Sequence, residues 1–107
     1  MPLKAYWAYA FACDRPLGGL AGEWNAAGPW EWQLRDSSWY GDYLNTRPID
    51  GVRVRIHEQP HVQQGGYTAL MQIEPESAAT QPEVDAVLRD LLRLVGVDEL
   101  RPIEPYD

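Results

Sequence analysis

The stretch Pro29–Leu44, PWEWQLRDSSWYGDYL, constrains this chain more than any other, because it holds three of the five tryptophans. Trp30, Trp32 and Leu34 alternate with Glu31, Gln33 and Arg35, the period-2 pattern of a half-buried strand, so two indoles must enter one core. Asp36, Ser37 and Ser38 then break the alternation. Trp39, Tyr40, Tyr43 and Leu44 follow at spacings that suit one or two turns of helix, which predicts a strand running into an aromatic corner and a loop reaching Asp50.

What lies over those indoles is written near the C-terminus. Thr80 and Glu83 form a capping box around Pro82, and Val84, Val87, Leu88, Leu91, Leu92 and Val95 make one apolar stripe that Gly96 is placed to end. A helix with a single stripe packs against a single layer. Three further strands supply it with the Trp30 strand. Residues 3–13 carry Trp7, Tyr9 and Phe11 on one side and Ala8, Ala10 and Ala12 on the other, apolar on both faces as interior strands are. Residues 52–58 alternate Val52, Val54 and Ile56 with Arg53, Arg55 and His57. Residues 67–74 place Tyr67, Ala69, Met71 and Ile73 together, opposite Leu70.

A first helix follows Asp14 and Pro16, which suit its cap and first turn, with Leu17, Leu20, Ala21 and Trp24 at helical spacing. Gly18, Gly19 and Gly22 weaken it by about 1 kcal/mol each, so burial must hold it. Those glycines match neither GxGxxG nor a Walker pattern, which leaves a phosphate cradle unsupported. Gly28 and Pro29 stop it. Pro102 and Pro105 limit the last eleven residues to a short edge strand near 100–103.

The order β-α-β-β-β-α predicts one α+β domain over residues 1–107: a two-layer sandwich with a mostly antiparallel four- to five-stranded sheet and both helices on one face. In element order alone this is similar to a ferredoxin-like arrangement with an added strand. The exposed face would then carry Glu31, Gln33, Arg35, Arg53, Arg55, His57, Thr68, Leu70 and Gln72, with Glu31 pairing to Arg53 or Arg55.

Charge narrows the partners. The formal net charge is −7, and residues 74–107 hold nine of the sixteen acids against three bases. A phosphate backbone is a poor match for such a chain, so nucleic acid is not the expected partner. No stretch reaches membrane-spanning length. Cys13 is the only cysteine, which excludes an internal disulfide and the two-cysteine metal motifs and makes a reducing cytoplasm the expected compartment. Lys4 followed by AYWAYAFAC resembles a short lipoprotein signal with Cys13 at the cleavage point, but the run is short and alternates as a strand does.

The open face sets arginines beside apolar ground, a mix that suits a protein partner or a second copy of the chain. The expected function is therefore a small non-catalytic binding or regulatory domain acting through that face, with no cofactor. An immunity- or inhibitor-like protein masking a basic partner is one form of it. The alternative is a small enzyme or ligand carrier with a pocket between the face and the Trp39–Tyr43 corner. There His57, Tyr40 or Asp42 would lie near an anionic small molecule oriented by Arg53 or Arg55, with Arg35, Trp39 and Tyr43 as further candidate binding residues. His57 and His61 stand four apart across Pro60 without helical geometry, so no metal site is expected; the spacing of Asp36 and Asp42 in space is not legible.

Overall fold

The computed structural model describes residues 4–37, 41–58 and 66–105. Its elements are β1 (Ala5–Ala12), α1 (Leu17–Ala27), β2 (Gln33–Ser37), β3 (Gly41–Thr46), β4 (Val52–Glu58), β5 (Gly66–Ile73), α2 (Gln81–Leu94) and β6 (Arg101–Ile103). The α+β class is as expected, but among the described residues the sheet has six strands, in the order β2-β3-β4-β5-β1-β6, with every neighbouring pair antiparallel. β1 lies between β5 and β6, which makes β5-α2-β6 a split βαβ unit. β4, β5, β1 and β6 thus take the ferredoxin-like arrangement, and the β2–β3 hairpin extends it at one edge.

That hairpin is the main departure from the expected elements. β2 runs on through Asp36 to Ser37 rather than stopping after Arg35, and Tyr43 and Leu44 of the predicted helical turn lie in strand β3. Gly41, the first residue of β3, stands at φ +73°, a left-handed conformation that glycine supplies without strain. Trp39, Tyr40 and His61 lie outside the described residues.

One cluster of buried side chains lies between the sheet and both helices. Val54, Ile56, Ala69 and Met71 from the central strands meet Leu20 and Trp24 of α1 and Leu88, Leu91 and Leu92 of α2. Trp24, Trp32 and Trp30 form a chain of rings, 4.9 and 5.9 Å between successive centroids, and the indole N–H of Trp24 donates to the Leu91 carbonyl at 2.8 Å. This burial is what carries α1 despite its glycines, since each large apolar side chain contributes about 1.5–3 kcal/mol. Asp14 does not cap it: Pro16 occupies the N-cap position without a side-chain hydrogen bond. α2 has the expected cap, with Glu83 N–H donating to Thr80 Oγ1, and closes in a Schellman motif in which Gly96 (φ +80°) and Val97 donate to Arg93 and Leu92.

β1 turns Trp7, Tyr9 and Phe11 toward the helices, where Asp85 of α2 accepts from Trp7 Nε1 (3.0 Å) and from the Tyr9 hydroxyl (2.7 Å). Ala8, Ala10 and Ala12 fall on the other face. Cys13 is a core residue. No helix among the described residues is long and apolar enough to cross a membrane.

Candidate functional site

The strand registers place the side chains of the face away from the helices in rows. One row runs Gln33, Asn45, Arg55, Leu70, Ala8, Ile103; the next runs Arg35, Tyr43, His57, Thr68, Ala10, Arg101. Arg53, Gln72 and Tyr6 form a third. The tryptophan side is covered and the arginine side is turned outward, as the alternation requires.

The middle of that face is not the apolar ground expected. Leu70, Thr68, His57 and Ala8 are all buried although both helices lie on the other side of the sheet. Tyr6, Arg53, Arg55, Gln72 and Pro105 surround Leu70, leaving a gap of only about 10 Å³, so long polar side chains and the segment after β6 close it. Tyr6 is the one large apolar side chain of these rows that stays exposed. His57 is buried against the Tyr43 ring, stacked at 5.1 Å and 20°. Burial first, then the charges of Arg55 and Arg53, lower its pKa to about 4, so the imidazole is neutral near pH 7.

Toward β2 the face opens into a groove of about 550 Å³ lined by Glu31, Gln33, Arg35, Tyr43, Asn45, Arg47 and Arg53. Arg35 donates to Gln33 Oε1 at 2.7 Å and Arg53 Nε donates to Asn45 Oδ1 at 2.9 Å. Each amide oxygen fixes the orientation of the guanidinium that donates to it, and the described lining carries three arginines to one acid. Glu31 is the one acid among the lining residues. It does not stand beside β4 as expected, because β3 lies between.

Of the candidate residues, Arg35, Tyr43 and Arg53 come together in this groove, and Arg55 and His57 share its face. Asp42 is not with them. It is the register partner of Asp36 on the opposite face of the hairpin, where both carboxylates are exposed. Asn45, in β3, and Arg47, just after it, fall in the stretch that reads as a loop, which is why the sequence does not single them out. Tyr43-Leu44-Asn45-Thr46 alternates as β3 does, and that was the available signal.

A larger cleft, about 960 Å³, lies where Ala10–Ala12 of β1 meets the turn after α2. Its charged lining is Arg89 and Arg101 against Asp98 and Glu99, so no single sign of charge prevails there. Among the described residues no group of three His, Cys, Asp or Glu side chains is placed to hold a metal ion. The chain matches no known protein family and no curated protein.

Proposed function

We propose that this chain is a non-catalytic binding domain that holds an acidic segment of a protein partner in the groove of Arg35, Arg47 and Arg53. The observation that carries the reading is the local reversal of charge. In a chain with sixteen acidic and nine basic residues, three of the eight arginines converge on one groove in which Glu31 is the one carboxylate among the described lining residues. Two of the three are oriented by neutral amides. Arginine forks pair bidentately with carboxylates, and a preoriented fork loses less side-chain entropy on binding than a free one. The acidic remainder of the surface repels the same partner elsewhere, which favours one mode of approach.

Tyr43 and the amides of Gln33 and Asn45 supply adaptable hydrogen-bonding ground around the cations. His57, the ring nearest to serving as a general base, is buried behind Tyr43, and this supports a binding role over a catalytic one.

The test is fluorescence anisotropy of a labelled octapeptide of alternating Glu and Val at low salt, against wild type and Arg47→Glu with Arg53→Glu. The expected result is wild-type binding that weakens as salt rises, and a loss of at least tenfold in the double variant. No binding by folded wild type at low salt, or equal binding by the variant, would end the proposal.

A further inference from the structure

We infer that the acidic partner docks as an added strand, antiparallel to the outer edge of β2, with its acidic side chains over the groove. This rests on the acidic-partner reading and specifies its geometry. β2 is the outermost strand of the sheet on that side. Which of its residues turn their main chain outward is fixed by two contacts. The Asn25 side chain, at the C-terminal end of α1, takes the Trp32 N–H on Oδ1 (2.6 Å) and donates Nδ2–H to the Trp32 carbonyl (3.1 Å). From the other side, Thr46 Oγ1 donates to the Glu31 carbonyl at 2.7 Å.

The N–H and C=O of one strand residue point the same way, and successive residues alternate. Glu31 faces β3, so Gln33 and Arg35 do too; Trp32 faces outward, so Leu34 and Asp36 do too. Asn25 therefore acts as a side-chain stand-in for a neighbouring strand at Trp32 and closes the edge there. Beyond it, two residues present main-chain donors and acceptors outward, and Leu34, 54% exposed, offers an apolar contact on the side away from the groove.

In antiparallel pairing, residues directly opposite each other share a face. A partner residue opposite Leu34 or Asp36 thus points away from the groove, and its neighbours in sequence point over it, beside Gln33 and Arg35. The matching ligand is an extended segment with a carboxylate at every second position. A second copy of this chain fits less well. Pairing β2 with its own image about Leu34 brings Asp36 against the edge that Asn25 and α1 already cover, and pairing about Arg35 sets Arg35 against its own copy.

The alternation makes the test specific. In the alternating Glu and Val octapeptide, the Val amides would bond to Leu34 and Asp36, and the Glu amides would point to solvent. Methylating the Val nitrogens should weaken binding at least tenfold, whereas methylating the Glu nitrogens should leave it within about twofold. Leu34→Pro, which removes an outward N–H at an edge that tolerates proline, should weaken the unmodified peptide to a similar degree while keeping every arginine. Amide exchange at Leu34 and Asp36 should slow when the unmodified peptide binds. Equal binding by the two methylated series overturns strand addition and leaves the groove reading standing. No binding of the unmodified peptide overturns both.

Discussion

His57 shows how one residue departs from what its neighbours in sequence imply. Between Arg55 and Glu58 on an alternating strand it reads as part of a basic outer face, yet the ring is only 2% exposed and stacks on Tyr43. Its pKa is lowered from 6.5 to about 4, so the unfolded chain takes up a proton between those values that the folded chain does not. Stability should therefore rise with pH across this window and fall as pH drops through it. From pH 7 to pH 5 the expected loss is about 1–2 kcal/mol, discounted for partial solvation of the ring. Urea unfolding of wild type and His57→Phe at the two pH values checks it. The phenyl ring keeps the stacking, so an equally large loss in the variant would assign the effect to other groups. The basicity of this face at neutral pH comes from its arginines.

At the scale of elements, α2 was the most legible part of the chain and the β2–β3 hairpin the least. The α2 stripe, its Thr80 cap and its Gly96 stop are local signals, and tertiary packing had no reason to override them. Trp39, Tyr40, Tyr43 and Leu44 instead stand at helical spacing, so the local pattern reads as helix. The strand won because β4 supplies a ladder for Tyr43–Thr46 that no local sequence signal discloses. Without β3 in view, Asn45 and the following Arg47, two of the groove's seven described lining residues, are hidden. Asp85 was hidden by the opposite effect. It stands on the flank of an apolar stripe as an ordinary solvated acid would, and only the fold shows it accepting from Trp7 and Tyr9 and tying β1 to α2. Asp85→Ala leaves two half-buried donors without that acceptor and should cost about 2 kcal/mol in urea unfolding at pH 7. Asp85→Asn should fall between, since its one carbonyl oxygen can serve one donor. A change within about 0.3 kcal/mol in Asp85→Ala would show that water replaces the carboxylate at no cost.

For the whole molecule, the sheet separates two kinds of surface. One side is a core of indoles and branched aliphatics beneath two helices; the other is ordered into rows whose middle is closed and whose β2 end is cationic. The net charge of −7 describes the chain and misleads about that end, because charge acts on a partner through its local arrangement. Two surfaces compete for the acidic peptide: the arginine groove, and the larger cleft between β1 and the turn after α2. Backbone and arginine side-chain NMR shifts, followed as the alternating Glu and Val peptide is titrated into the intact chain, separate them in one experiment. Shifts concentrated at Gln33, Arg35, Tyr43, Asn45, Arg47 and Arg53, with Ala10, Val97 and Arg101 unmoved, are the expected result. Shifts confined to the β1 cleft, or none at saturating peptide, would contradict the account.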